Sequence, residues 1–415
     1  MKKYTYKKYI QTMMLAVAVI PFFSSCDYLD KEPDDMLTID AVFDNADYTK
    51  QWLAGVYNLV PDPLWEYMNF AGYGYYMMSD ETQMASSLGQ FGWGNLMNVQ
   101  QGSWTPTQII PGKNLWKETY QKVRSGLIFL ERVKEIPDQR QTVELVERYK
   151  NEVRFLIAYY YSRMLEVYGP FPLITSLMDV NDSGEVLKKE RTPYDEIVNY
   201  LDNEFMELSK ILPSSYDNVN IGRPTSGACL ALRARMLMFA AKDVVNKDGT
   251  PLFSQSKDNK KWEKAAVAAK LVIDLPEYDL YKEYLEDGSI DALMSCTNLY
   301  LTTTEQNPEI IMAFPGKTSS LYEYHLMPRK SGFAGCISAT QNIVDAFFMK
   351  NGLSIDELGS GYVEEGFSTE DTYYPTKYTY GSADKKEGLV TPKGTYNMYV
   401  NREPRFYANI RFHGK

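Results

Sequence analysis

The stretch FGWGN sets Trp93 between Gly92 and Gly94 and follows it with Asn95. Glycine lets backbone pack closely while the indole projects, and the amide two residues on supplies a donor and an acceptor. A flat apolar face beside a fixed amide can stack on the C–H surface of a pyranose and read its hydroxyls. Tyr73, Tyr75 and Tyr76 in GYGYY, with Trp104, extend that chemistry into an aromatic arc. Further on, LYEYHLMPRK adds Tyr322, Tyr324 and Arg329. These are the candidate ligand-binding residues. The competing reading makes Trp93 a plug at the edge of a helical scaffold and the tyrosines surface or packing groups.

Covalent chemistry has less material. Asp80 and Glu81 lie beside the first aromatic stretch, and a glycosidase needs two carboxyl groups about 5–10 Å apart around its sugar. Adjacent acids do not by themselves make that pair. The chain has only His325 and His413, and it contains no Gly-x-Ser-x-Gly elbow, no His-Glu-x-x-His and no glycine-rich phosphate loop. The expectation is a binder rather than an enzyme, with no cofactor and no metal centre.

The first residues, MKKYTYKKYIQTMMLAVAVIPFFSSCDYLDKEPDD, carry four lysines before an apolar run that ends in Ser24 and Ser25. That run is about half of the roughly 20 residues needed to span a bilayer as a helix, and the order of charge, apolar core and small residues is that of a secretory signal. Cleavage before Cys26 would leave its thiol as the first residue, which resembles a bacterial lipoprotein signal with Cys26 as the lipid attachment site. Two or more acyl chains, each buried CH₂ worth about 0.8 kcal/mol, would hold the protein on a membrane with no spanning helix.

Composition narrows the class. Asp and Glu total 54 against 44 Lys and Arg, for a net charge of −10, so nucleic acid and anionic membrane surfaces are poor partners. Besides Cys26 there are only Cys229, Cys296 and Cys336, too few for a disulfide framework in an exported chain, although one bridge could form. Cys229, inside ACLALRARMLMFAA, reads as a small buried hydrophobe. The 33 tyrosines and six tryptophans supply flat apolar faces with polar tips, suited to wet recognition surfaces.

The elements that would position these groups are helical. Trp116, Tyr120, Val123, Leu127 and Leu130 recur at helical spacing, as do Val146, Tyr149, Val153, Leu156, Tyr160, Met164 and Val167. Gly169 and Pro170 stop the second helix, and the short PDQRQ connection predicts an antiparallel pair. RTPYDEIVNYLDNEF predicts a third helix with Thr192 as N-cap, Pro193 at the first position and Asp195 completing a capping box. Helices follow in GRPTSGACLALRARMLMFAAKDVV and WEKAAVAAKLVIDLP. The run Tyr159, Tyr160, Tyr161 reads as helix core. Paired helices at repeated intervals predict an α-solenoid, although the tetratricopeptide consensus is not regenerated. Residues 61–111 and the region from about Thr318 onward mix glycine, proline and aromatics without a sustained period, as long functional loops do.

CDYLDKEPDD, NLWKETYQKVRSGLIFLERV, NEVRFLIAYYYSRMLEVYGPFPLI, RTPYDEIVNYLDNEF, GRPTSGACLALRARMLMFAAK, WEKAAVAAKLVI, NPEIIMAF and NREPRFYANI occur in the order that resembles SusD/RagB-family lipoproteins. The resemblance implies a mostly α fold: a tetratricopeptide-like helix-pair solenoid scaffold carrying irregular aromatic-rich loops. It implies residues 1–25 as a lipoprotein signal, 26–39 as a flexible acidic tether and 40–415 as one SusD-like helical domain. It further implies a non-catalytic lipoprotein, anchored on the outer membrane and facing the exterior, that captures polysaccharides, oligosaccharides or peptides for a SusC-like TonB-dependent transporter. Asp27, Asp30 and Glu32 resemble the acidic signal that sends such lipoproteins to the outer face, a plain hydrophilic spacer being the alternative. A structural or adhesin-type surface lipoprotein shares the signal and tether, and a glycoside hydrolase is the remaining rival. Two departures stand out: Ser125 and Gly126 replace a family asparagine, and family chains continue past an NREPRFY-like segment. The expectation is therefore a domain incomplete at its C-terminus.

Overall fold

The structure is a computed structural model describing residues 37–60, 79–84, 100–103, 115–178, 184, 188–244, 248–253, 258–303, 306–313, 335, 337–380 and 386–413. It is mostly α. Helices α1 (Ile39–Phe43) and α2 (Ala46–Tyr57) lead into α3 (Leu115–Arg132) and the long α4 (Val143–Tyr168), followed by α5 (Tyr194–Ile211), α6 (Ser226–Ala240) and α7 (Lys260–Ile273). No helix among the described residues is long and apolar enough to cross a membrane.

The two helical stripes meet as expected. The Trp116 ring lies 5.3 Å from that of Tyr168 and the Phe129 ring 6.5 Å from that of Tyr149, so the start of α3 faces the end of α4. The turn between them closes on an Ile136–Gln141 bridge, with Arg140 at φ 63°. Where the helices pass, a Cβ on Gly126 would lie 3.1 Å from Ile157 and 3.2 Å from Val153. The departure at Ser125 and Gly126 is thus a close helix approach, and the Ser125 carbonyl also accepts the Trp52 indole N–H at 3.0 Å.

From Val153 to Leu165 α4 is buried on nearly every side, because α2, α3, α5 and α6 all pack on it. A helix so enclosed is apolar around its circumference rather than along one stripe. Phe155 stacks edge-on to Phe205, and Arg154 makes a bidentate bond to Glu204 at 2.7 and 3.1 Å. Beyond it Arg233 donates to Asp202 at 2.6 Å and Lys261 to Asp195 at 2.8 Å, chaining α5, α6 and α7 together.

Three sequence expectations are corrected. Thr192 is not the cap of α5: its hydroxyl accepts from Leu173 N, its amide donates to Phe171, and Pro193 takes the cap position. The returning chain at 171–173 competes for the threonine and wins. Val167 falls at the exposed end of its stripe. Tyrosines that composition alone assigned to recognition surfaces are also core, as at Tyr194, Tyr374 and Tyr407, while Tyr149, Tyr160 and Tyr161 are buried as their helical spacing predicts. Tyr160 donates to Val56 O at 2.6 Å and Tyr161 to Ile174 O at 2.7 Å, and burial pushes both phenols far above their usual pKa.

Cys229 is fully buried and Cys296 half-buried, both as free thiols. Burial pushes the Cys229 thiol up to about 12, and only the thiolate alkylates readily. Iodoacetamide on the native protein is expected to modify Cys296 well before Cys229, read by peptide mass spectrometry. Equal rates would show that α6 opens freely.

A second, smaller core collects Leu293, Val344, Tyr374, Val390, Phe406 and Phe412. It is built by α8 (Ala292–Asn298), α9 (Gln341–Ala346) and α10 (Pro404–Asn409), with paired strands β3 (Thr372–Tyr373) and β6 (Leu389–Thr391), and β4 (Thr379–Tyr380) and β5 (Lys386–Glu387). Buried Asp291 caps α8 through Met294 N at 3.0 Å and accepts Lys377 N at 2.7 Å. Arg402, fully buried, donates to Met398 O at 3.1 Å, to Phe347 O at 2.8 Å and to Val344 O.

Candidate ligand-binding site

One described edge of each irregular aromatic stretch meets the other in a short ribbon. Strand β1 (Thr82–Met84) pairs antiparallel with β2 (Ile337–Ala339), with Thr82 opposite Ala339, Gln83 opposite Ser338 and Met84 opposite Ile337. Thr340 N donates to Glu81 O at 3.0 Å, its hydroxyl donates to Asp80 O, and Gln100 Nε2 donates to Thr82 O at 2.7 Å. Thr340 is also the N-cap of α9, so this ribbon runs directly into the second core. A contact spanning some 255 residues of sequence costs loop-closure entropy and holds the origin of the first stretch against the origin of the second.

Every candidate ligand residue lies outside the described residues. Tyr73, Tyr75 and Tyr76 precede the anchor at Ser79; Trp93 and Asn95 fall between Met84 and Gln100; Trp104 follows Ser103; Tyr322, Tyr324 and Arg329 precede Gly335. Cys26, Asp27, Asp30 and Glu32 lie outside as well. Asp80 and Glu81 are described, both exposed, and what they give the ribbon is their carbonyls. Among the described residues no cluster of three or more His, Cys, Asp or Glu could hold a metal.

A cavity of about 370 Å³ opens elsewhere, between α2, the start of α4 and the turn at 218–223. Leu53, Ala54, Val60, Val219 and Ile221 form its walls, with the Tyr149 ring, and Lys50 and Arg223 bring positive charge to it. Behind it sits Glu152, fully buried in α4. Its Oε2 accepts the Tyr57 hydroxyl at 2.8 Å and Arg223 Nη1 at 2.7 Å, while Arg148 Nε lies 3.5 Å from Oε1. Burial pushes the Glu152 carboxyl above the usual carboxylate range, against the pull of Arg223, the Tyr57 hydroxyl and Arg148. For Arg223 burial acts downward, but Glu152 with the Tyr57 and Tyr149 phenols together raise the pKa. Two guanidinium groups and a phenol thus face one carboxyl. The sequence did carry a signal for this group: Glu152 follows Tyr149 by three residues and so stands on the apolar stripe of α4, where an acid needs partners.

Residues 27–238 match the SusD-like family described as starch-binding and associating with the outer membrane, and residues 305–415 match the SusD family. The chain belongs to the SusD family. Among solved structures it is similar to a SusD-like protein, BF3747, from Bacteroides fragilis, with 22% identity over 93% of this chain and 64% of that one and a TM-score of 0.62. It is similar to BT4246 with 22% identity, covering 87% of this chain and 64% of that one, at a TM-score of 0.64. A SusD-like carbohydrate binding protein, BF0978, from the same Bacteroides species matches with 16% identity over 86% of this chain and 72% of that one, at 0.54. These likenesses establish the fold. The chain spans about 64% of the length of BF3747 and BT4246. A comparison with curated proteins found no match.

Proposed function

We propose that this protein is a non-catalytic surface lipoprotein that captures glycans and passes them to a SusC-like TonB-dependent transporter in the outer membrane. The observation that carries the reading is the β1–β2 ribbon, which in a SusD-family chain ties the two aromatic-rich stretches to a common origin. Trp93, Asn95, Tyr73, Tyr75, Tyr76 and Trp104 form one side of the site; Tyr322, Tyr324 and Arg329 form the other. Cys26 carries the lipid, and Asp27, Asp30 and Glu32 direct the protein to the outer face. Stacking on several aromatic faces gives modest affinity, which suits a carrier that must release its cargo.

The test is titration of the mature chain with a panel of polysaccharides, oligosaccharides and peptides while following tryptophan fluorescence. At least one glycan is expected to change the emission without release of reducing ends. Silence across the panel would remove the capture reading in favour of a structural or adhesin role. Reducing-sugar release would make the protein a hydrolase.

A further inference from the structure

Among the described residues, the cavity beside Glu152 is lined by none of the candidate glycan-binding residues. Its walls are mainly aliphatic, with two phenol rings, Tyr57 and Tyr149, among them. Val219, at the rim, is 90% exposed, an apolar side chain spent on open surface. The amide of Asn220 is already committed: Nδ2 donates to Asp217 Oδ1 at 2.7 Å and Oδ1 accepts Arg223 Nε at 2.9 Å. A sugar or a peptide backbone placed here would leave hydroxyls or amides unpaired, at about 1–3 kcal/mol each.

Cations are gathered at this place although the chain as a whole is acidic. Arg148 and Arg223 share the single carboxylate of Glu152, and the nearest carboxylate to Lys50 is the exposed Asp47 at 4.0 Å. Lys50, Arg148 and Arg223 thus stand against Asp47, Glu152 and Asp217, a local balance in a protein of net charge −10. Arg223 is held in place: its Nε and Nη1 are bonded, and its guanidinium lies 5.9 Å from the Tyr149 ring centroid. That leaves Nη2 without a partner among the described residues. A fixed guanidinium edge with an ammonium beside it recognises a carboxylate, and a volume near 370 Å³ lies within the range of small-ligand pockets, about 300–1,000 Å³.

We propose that this cavity is a second binding site, for a single carboxylate carried on a flexible aliphatic body, the chemistry of a medium-chain fatty acid. The apolar chain lies along Leu53, Val60 and Ile221, and the carboxylate meets Arg223 and Lys50. Binding here does not depend on the glycan-capture reading, so either can fail without the other.

Octanoate is the probe, titrated calorimetrically into the mature chain, with octanol and octanamide as uncharged controls. Octanoate is expected to bind, with both controls weaker by about tenfold or more, and its affinity should fall as salt rises. Lys50→Gln should weaken octanoate several-fold. Ala54→Phe, a substitution at an exposed position of α2 on the cavity wall, should abolish octanoate binding while leaving the thermal midpoint and glycan binding unchanged. The proposal is overturned if octanoate gives no heat below its micelle-forming concentration, if octanol binds equally well, or if Ala54→Phe binds like the wild type.

Discussion

Glu152→Ala is expected to destabilise the helical array by about 3 kcal/mol, the cost of removing one partner from a buried charge cluster. The substitution leaves Arg223 and Arg148 without their counter-charge and the Tyr57 hydroxyl without an acceptor, because all three converge on this one carboxylate. The two arginine side chains keep 27% and 34% exposure, a path to water that holds the loss at the lower end of the range. Glu152→Gln keeps an acceptor for Tyr57 and should fall between. Urea unfolding followed by circular dichroism measures it: the midpoint should drop with little change in slope. A midpoint within error of wild type would mean that the cluster is solvated in the native state.

Arg402→Ala is expected to cost about 4 kcal/mol, in the second core rather than the first. The Arg402 side chain donates to Val344 O and Phe347 O, at the last turn of α9, and to Met398 O. Carbonyls at a helix end have no partner within the helix, so this guanidinium closes α9 in place of further helical turns. Its backbone is engaged too: the amide donates to the Tyr407 hydroxyl at 3.1 Å and the carbonyl accepts Tyr374. Burial draws the guanidinium pKa down, but an arginine stays charged in proteins. Arg402→Met, which keeps the volume and loses the bonds, should recover only the cavity part of the loss. Hydrogen exchange is expected to quicken over 344–350 and 398–410 while α4 stays protected. Unchanged exchange in those segments, or equal loosening of α4, would contradict this account of two separate cores.

How much of this was legible beforehand depends on the physics of each part. The α3 and α4 stripes were readable because a 3.6-residue period over many turns leaves few alternatives, and the short PDQRQ link fixed their antiparallel pairing. Cys229 as a buried hydrophobe followed from its apolar neighbours. Thr192 misled because a capping box is a local pattern, whereas the competing donor, Leu173 N, arrives from nineteen residues away. Tyrosines on the α4 stripe were readable from spacing, but the count of tyrosines misled elsewhere, as at Tyr374 and Tyr407: composition cannot separate a phenol that stacks on a ligand from one that bonds a backbone carbonyl in the core. The β1–β2 pairing had no signal at all, since three-residue strands carry no period and their partners lie far apart in sequence. Glu152 was visible as an acid on an apolar stripe, but its partners Tyr57 and Arg223 come from distant segments.

The account's central claim is that the helical array supplies stability while the aromatic stretches leaving the β1–β2 ribbon supply binding. Trp93→Ala tests it in one experiment, with glycan affinity and thermal midpoint read on the same protein. The account predicts that affinity falls about tenfold or more, about 1.4 kcal/mol, with the midpoint unchanged. A lowered midpoint would make Trp93 a core residue, and unaltered affinity would place the glycan elsewhere; either result contradicts the claim.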